Sequence, residues 1–191
     1  RETIERLRLY AELLERWTPK INLVAAGTLG DLRARHIADS LQVTELAPAS
    51  ARWADLGSGG GFPGLVVAIA HADVPGFEAT LVESDQRKAA FLRTVVRETG
   101  ITARVLPNRI EAAAPLRADV LTARALASLD ALLSFAERHR KKDGIFLFPK
   151  GETWQQEVAA AEENWRFRYE AVPSRTNPAS VILKIGEFSR G

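Results

Sequence analysis

The chain contains no cysteine and no methionine, and it has no long uncharged apolar run. Without cysteine, disulfides, cysteine-ligated metal sites and cysteine nucleophiles are excluded. No stretch of about 18 apolar residues is present, so we expect no membrane span. Residues 1–16 alternate in charge and lack the apolar segment of a secretory signal, so we expect a cytoplasmic protein. Because methionine is absent, we also expect the natural chain to extend beyond these 191 residues.

Charge and metal-ligand content give few constraints. Lysine and arginine number 26 and aspartate and glutamate 24, a net charge of +2, which alone does not indicate a nucleic-acid partner. The densest basic run is Arg-His-Arg-Lys-Lys at 138–142. It fits either a solvated surface loop or a phosphate-binding patch for RNA. The three histidines, His36, His71 and His139, are far apart in sequence, so we expect no metal site.

The first 48 residues have the pattern of two helices. Apolar side chains recur at helical spacing over residues 3–17, and Pro19 is predicted to end that helix. A second helix is predicted to begin after Thr28, which with Asp31 resembles a capping pair, and to run towards Leu46. We predict that residues 1–48 form a helical cap, here named the N-terminal cap, on a core of residues 49–191.

From residue 52 short apolar runs alternate with amphipathic ones. The predicted strands are 52–56, 79–83, 103–106, 119–122, 145–148, 166–172 and 180–185, and the predicted helices are 63–71, 86–99, 129–138 and 153–164. Such alternation predicts an α/β fold with a mostly parallel seven-stranded sheet and helices on both faces. The last two strands have no helix between them, which predicts an antiparallel C-terminal hairpin.

A glycine-rich loop over residues 55–64 follows the first predicted strand and precedes a helix. In doubly wound sheets, ligands bind at this first turn. The dinucleotide pattern G-x-G-x-x-G fails from Gly57, because Phe62 takes the place of the third glycine. From Gly59 it matches only with Pro63 inside the motif, and no lysine is present for a P-loop.

The spacing acidic-x-Gly-x-Gly-x-Gly does fit, with Asp55, Gly57, Gly59 and Gly61. It resembles the first motif of Rossmann-like methyltransferases, in which the loop cradles S-adenosylmethionine (AdoMet). That likeness implies an AdoMet-dependent class I methyltransferase fold, with the acidic residue meeting the positive charge of the ligand.

The second predicted strand ends in Glu83, followed by Ser84. A carboxylate at this position can accept hydrogen bonds from both ribose hydroxyls of a nucleotide. The alternative is that Glu83 is a solvated residue at a helix start and that the glycines form a structural turn.

Motifs along nearly the whole chain resemble those of the bacterial small-subunit rRNA guanine-N7 methyltransferases. They are W-x-x-x-x-N-L at 17–23, R-H-x-x-D-S at 35–40, D-x-G-S-G-x-G-F-P-G at 55–64, R-x-E at 109–111, R-A-x-A-S-L at 124–129 and K-G at 150–151. Two positions depart from the family pattern: Pro149 precedes the K-G motif, and Pro178 begins the segment before the last strand, where some members carry a basic residue.

The resemblance implies roles for particular residues. Together with the loop spacing and the carboxylate that ends the second strand, it gives these predicted cofactor-binding residues: Asp55, Gly57, Gly59, Gly61, Phe62, Glu83, Ser84, Ile110, Glu111 and Arg124. Among them, Ile110 and Glu111 would flank the adenine, and Arg124 would lie beside the methyl donor. Asn22, His36, Arg124 and Lys150 are the implied substrate-binding residues.

The chemistry agrees with this resemblance. Guanine N7 is an unprotonated acceptor that can attack a methyl group in line, so no general base is required and positioning is the main task. Methylation at pyrimidine C5 through a cysteine adduct is excluded. The fourth predicted strand ends in Thr-Ala-Arg-Ala at 122–125, where enzymes that methylate exocyclic amines carry an Asn/Asp-Pro-Pro-aromatic motif. Arg124 could therefore hold guanine or phosphate.

We therefore predict an AdoMet-dependent enzyme that forms 7-methylguanosine in 16S rRNA, free or in an assembled small subunit, without a metal. Two alternatives remain open: a methyltransferase of the same fold acting on a small molecule or a protein, and a non-enzymatic nucleotide-binding module.

Overall fold

In the computed structural model, which describes residues 1–25, 27, 30–49 and 51–191, seven strands form one sheet. The strands are β1 (Arg52–Leu56), β2 (Glu78–Val82), β3 (Arg104–Leu106), β4 (Ala118–Thr122), β5 (Arg140–Lys150), β6 (Trp165–Pro173) and β7 (Val181–Arg190). Their order is β3-β2-β1-β4-β5-β7-β6; β7 pairs antiparallel with both β5 and β6, and the other neighbouring strands pair parallel. This confirms the predicted α/β class and the antiparallel C-terminal hairpin.

Helices cover both faces of the sheet. They are α1 (Glu2–Ile21), α2 (Ala38–Thr44), α3 (Gly64–Ala70), α4 (Gln86–Thr99), α5 (Leu129–His139) and α6 (Trp154–Ala161). Side chains of α5 and α6 share an apolar cluster with one face of the sheet, whereas α1, α3 and α4 share a second cluster on the other. A third cluster joins α2 to β1 through Val43 and Trp53. The N-terminal cap is therefore packed into the core of the fold.

One predicted helix boundary in the N-terminal cap was wrong. Pro19 does not end α1, which continues to Ile21, because a proline in the last turn removes only one backbone donor. Asn22 ends the helix instead, with a left-handed φ of 51° and its N–H bonded to the Thr18 carbonyl. The predicted start at Thr28 lies outside the described residues. A π-helical segment, Leu32–Ile37, precedes α2.

Strand β5 is much longer than the predicted 145–148, and its first residues belong to the basic run. The interpretation of that run as a surface loop is wrong, because the strand begins at Arg140. The Arg140 guanidinium lies 4.3 Å from the centroid of the Phe188 ring, and Lys141 donates to Asp119 at 3.0 Å. These contacts stabilise charged side chains in the first part of the strand, which the polar sequence did not predict.

The strand register brings the predicted site residues together. Leu56 pairs with Val82, and Asp55 pairs with Thr122. The residues that follow β1, β2 and β4 therefore emerge side by side at the carboxyl edge of the sheet, where α/β folds bind their ligands.

Candidate cofactor and substrate site

The glycine loop turns sharply over the end of β2. Gly57, Gly59 and Gly61 have φ values of +65°, +56° and +98°, in the left-handed region that glycine adopts without steric cost. The Ser58 N–H donates to the Val82 carbonyl at 2.9 Å, which ties the loop to the neighbouring strand. Tyr10, fully buried in α1, donates its hydroxyl to the Gly60 carbonyl at 2.6 Å, so the N-terminal cap holds the loop from behind.

Asp55 lies behind the loop and holds it in place. Its carboxylate accepts hydrogen bonds from the Ser58 hydroxyl at 2.5 Å, the Thr122 hydroxyl at 2.7 Å and the Gly64 N–H at 3.2 Å. Burial raises the pKa of this carboxyl to about 6, although the three hydrogen bonds oppose the rise. The sequence suggested contact with a ligand charge, whereas the structure places the side chain where it organises the loop.

Glu83 lies at the rim of the loop with its carboxylate only partly used. Oε2 accepts the Gly59 N–H at 2.7 Å, and Oε1 accepts the Asp85 N–H at 3.0 Å. A carboxylate oxygen has two lone pairs, so each of these oxygens can accept one further hydrogen bond. The geometry therefore fits an acceptor for a vicinal diol.

A cavity of about 580 Å³ opens in front of the loop. Its size is within the usual range for small-molecule sites. The predicted site residues in its wall are His36, Gly57, Gly59, Phe62, Glu83, Ser84, Ile110, Glu111 and Arg124. We name it the cofactor cavity. The sequence did not single out Lys88 or Asn108, which belong to none of the quoted motifs, or Leu126, the variable position of the motif at 124–129; all three also line the cavity.

An arginine and a histidine form the inner wall of this cavity. Arg124 Nη2 donates to His36 Nδ1 at 2.5 Å, and both side chains lie against the Phe62 ring, at 5.7 Å and 5.3 Å from its centroid. Ala125, the next residue, has a left-handed φ of 49°. A non-glycine residue in this region costs about 1 kcal/mol or more, and such strain clusters at functional sites.

Burial lowers the pKa of His36, and the charges of Arg124 and Arg35 lower it further, against smaller opposing effects of Asp39 and Asp31. Burial also lowers the pKa of Arg124. Because arginine only donates, His36 Nδ1 is the acceptor, and the neutral ring carries its proton on Nε2. The wall is therefore a cation bonded to a neutral imidazole.

A second cavity, of about 400 Å³, lies on the other side of this wall. We name it the inner cavity; its lining includes His36, Arg124 and the predicted Lys150. Lys150 Nζ donates to the Ala127 carbonyl at 3.0 Å and to Glu157 at 2.7 Å, so it fixes the loop that follows β4. The two cavities thus meet at His36 and Arg124.

Asn22 stands apart from the other predicted residues. It is exposed at the end of α1, directly before residues 23–25, which line the cofactor cavity. Its left-handed backbone ends α1 and leads the chain into that segment. The structure gives it this turn-forming position outside both cavities.

Sequence reasoning missed a set of contacts that closes the far side of the inner cavity. Gln42 of α2 donates to the Pro173 carbonyl at 2.8 Å and accepts the Arg175 N–H at 3.1 Å. Asp39 accepts hydroxyl hydrogen bonds from Ser174 and Thr176. We name these contacts between α2 and residues 173–177 the cap clasp. Its partners are more than 130 residues apart, so no local signal could reveal it.

Within the described residues no group of three or more His, Cys, Asp or Glu side chains could hold a metal ion. In that same part of the chain, no helix is long and apolar enough to cross a membrane.

Comparison with known proteins identifies relatives of the chain. A family model described as rRNA small subunit methyltransferase G matches residues 3–179. Proteins named ribosomal RNA small subunit methyltransferase G are 53% identical in Ruegeria pomeroyi, over 100% of this chain and 94% of that protein, and 48% identical in Gluconobacter oxydans, over 100% and 96%.

Solved structures support the fold alone. A mitomycin 7-O-methyltransferase aligns with a TM-score of 0.63 at 19% identity, covering 91% of this chain and 60% of that one. A SAM-dependent methyltransferase from Aquifex aeolicus aligns with a TM-score of 0.61 at 12% identity, covering 78% and 91%.

Proposed function

Since the chain belongs to the rRNA small subunit methyltransferase G family, we propose that it transfers a methyl group from AdoMet to N7 of a guanine in small-subunit rRNA. The observation that carries the proposal is the pair of cavities that share the His36–Arg124 wall. A methyl donor in one cavity and a base in the other would meet at that wall.

The residues of the cofactor cavity fit AdoMet. An ideal Cβ at Gly59 would meet only the Gly57 carbonyl, at 3.8 Å, so the loop leaves open space in front of its backbone. Glu83 can accept hydrogen bonds from the ribose hydroxyls, and Ile110 supplies an apolar surface for the adenine. Arg124 Nη1, which is buried and without a partner among the described residues, can bind a carboxylate. When bound, AdoMet supplies an electrophilic methyl group on a sulfonium.

The inner wall contributes positioning and no proton transfer. Guanine N7 carries an unprotonated lone pair, so the base needs to be held in line with the methyl group and needs no general base. Arg124 is bonded to His36 and packed on Phe62, so its side chain is held before a substrate arrives. A preorganised wall of this kind can lower the barrier by several kcal/mol, at about 1.4 kcal/mol per tenfold in rate.

The substrate enters from the inner cavity, with Lys150 keeping the loop after β4 in place and Asn22 directing the segment over the cofactor. The reaction takes place in the cytoplasm, on rRNA that is free or in an assembled subunit. The proposed transfer uses no metal.

The test is to incubate the protein with labelled AdoMet and with small ribosomal subunits or naked rRNA, and to analyse the modified nucleosides. Label in 7-methylguanosine is expected. Label in another nucleoside, or AdoMet binding without label in any RNA, would contradict the proposal. Comparing the two substrates identifies the form that is methylated.

A further inference from the structure

A buried donor on the inner wall has no partner in the described structure. His36 is 8% exposed, its Nδ1 is taken by Arg124, and its Nε2 makes no hydrogen bond with any described residue. Since Nε2 carries the proton of the neutral ring, it is an unpaired N–H. An unpaired buried donor costs about 1–3 kcal/mol, so a ligand that accepts from it gains that free energy.

Among the described residues, position separates this atom from three of the other unpaired nitrogens; the fourth, Arg124 Nη1, lines the same two cavities and is assigned above to the AdoMet carboxylate. Among the described residues, Trp53, His71 and His139 also have a buried side-chain nitrogen without a partner. These three residues lie outside the walls of both cavities, whereas His36 lines the two of them. A ligand in either cavity would therefore lie against the His36 side chain.

The surroundings keep His36 neutral. The positive charges of Arg124 and Arg35 act on it together with burial, and Asp39 and Asp31 oppose them less strongly. The Phe62 ring packs against its face. Each of the two cations makes a proton on Nδ1 less favourable, so the ring keeps one donor and one acceptor at neutral pH.

We propose that the inner cavity admits the target guanine and that the His36 Nε2–H donates a hydrogen bond to its O6, which selects guanine over adenine. The two purines share an acceptor at N7, but guanine presents the acceptor O6 beside it where adenine presents an amino donor. Adenine would place its amino group against the N–H of His36, with neither group paired. Arg124 acts through His36 here, because its bond to Nδ1 fixes the tautomer.

This inference rests on the proposed function and deepens it. N7 and O6 lie on one edge of guanine, so a base whose O6 contacts the shared wall directs N7 towards the cofactor cavity. One hydrogen bond would therefore both identify the base and orient the reacting atom.

The experiment compares guanine with 2-aminopurine, which keeps N7 and the 2-amino group but lacks O6, at the methylated position of the rRNA. The wild-type protein is expected to lose about 10- to 100-fold in kcat/KM with 2-aminopurine, the effect of one unpaired buried donor. With guanine, the kcat/KM of H36L should be lower than that of the wild type by a similar factor. Replacing guanine by 2-aminopurine should then lower the kcat/KM of H36L little further. H36Q, whose amide has a carbonyl acceptor and an NH2 group that donates, should still discriminate between the bases.

The matched control is H71L, since His71 is also 8% exposed but lies away from both cavities, between Trp53 and Phe77. H71L should prefer guanine over 2-aminopurine by the same factor as the wild type. AdoMet affinity and thermal unfolding are measured for every variant; if H36L is unfolded, H36F, which keeps an aromatic contact with Phe62, replaces it.

Discrimination by H36L or H36F as strong as that of the wild type would overturn the inference. Equal methylation of both bases by the wild type would also overturn it and leave the proposed function intact. Absence of 7-methylguanosine with the natural rRNA would instead refute the proposed function.

Discussion

At the scale of single residues, Asp55, which holds the glycine loop, makes the stability of the protein depend on pH. Its carboxyl is 3% exposed, and burial raises its pKa from 3.8 to about 6. Because the folded state holds this proton more tightly than the unfolded state, the associated stability is fully present below pH 3.8 and is lost as pH rises through about 6.

D55N removes this titration and can keep the same partners, with its oxygen accepting from Ser58 and Gly64 and its amide donating to the Thr122 hydroxyl, which reverses that one bond. We therefore expect the difference in unfolding free energy, D55N minus wild type, to rise by about 2 kcal/mol between about pH 4 and pH 7, at about 1.4 kcal/mol per pKa unit. Urea unfolding of both proteins across this range measures it. In D85N the difference should stay nearly constant over this range and change in the opposite direction only below about pH 4, because backbone hydrogen bonds lower the pKa of that helix-capping carboxyl from its ordinary value of 3.8. A difference between D55N and wild type that does not change with pH would contradict the raised pKa of Asp55.

Gly59 allows the cost of backbone strain to be separated from the loss of ligand space. We expect G59V to abolish AdoMet binding, because its side chain would fill the open space in front of the loop. Gly100 is the matched control: its φ of +66° is similar, and it has nothing within 4 Å of an ideal Cβ. In G100V, backbone strain should lower the unfolding free energy by about 1–2 kcal/mol, while AdoMet affinity stays normal. Calorimetric titration with AdoMet decides, and normal affinity in G59V would remove the loop from the proposed site.

The sequence predicted the glycines and Glu83 as residues of one site because both follow strands that end at the same edge. It could not predict the orientation of Asp55, whose hydroxyl partner Thr122 is 67 residues away. The Arg124–His36 bond likewise joins residues 88 apart. Hydrogen bonds of this kind depend on the order of the strands in the sheet, so the local spacing of residues does not predict them.

At the scale of elements, the alternation of strands and helices was predictable wherever apolar periodicity is strong. Strand β1 and helix α4 have the predicted bounds. Errors came where tertiary contacts offset local preference: α1 passes through Pro19, and β5 begins within a basic run because Arg140 and Lys141 have partners on neighbouring strands.

The cap clasp joins α2 to residues 173–177 through the amide of Gln42, which is 4% exposed. Q42A leaves the Pro173 carbonyl and the Arg175 N–H without this partner, so we expect the unfolding free energy to fall by about 1–3 kcal/mol. Amide hydrogen exchange should become faster in residues 173–177. Q86A is the control, since Gln86 is exposed and makes one bond of 3.4 Å. Unchanged exchange in Q42A would show that the clasp does not hold this turn.

At the scale of the whole molecule, the sheet separates two groups of basic residues. Arg35 is exposed at the inner cavity, near the carboxyl edge, whereas Lys142 is exposed near the start of β5. Lys142 lies between Arg140, which pairs with Ala118, and Ile145, which pairs with Val120, so it belongs to the amino end of β5, whereas Lys150 ends the strand at the carboxyl edge. The basic run therefore lies at the opposite edge of the sheet from both cavities, and net charge alone could not reveal this separation.

RNA bound at the inner cavity should therefore be sensitive to Arg35 and insensitive to Lys142. We expect R35E to weaken binding of small-subunit rRNA and to reduce the slope of log K against log salt by about 1, the contribution of one phosphate contact. K142E makes the same charge change at the far edge and should leave both quantities unchanged. Filter binding at several salt concentrations measures them. Equal effects of the two variants would indicate attraction by net charge alone, and a larger effect of K142E would place the RNA at the basic run on the other edge of the sheet.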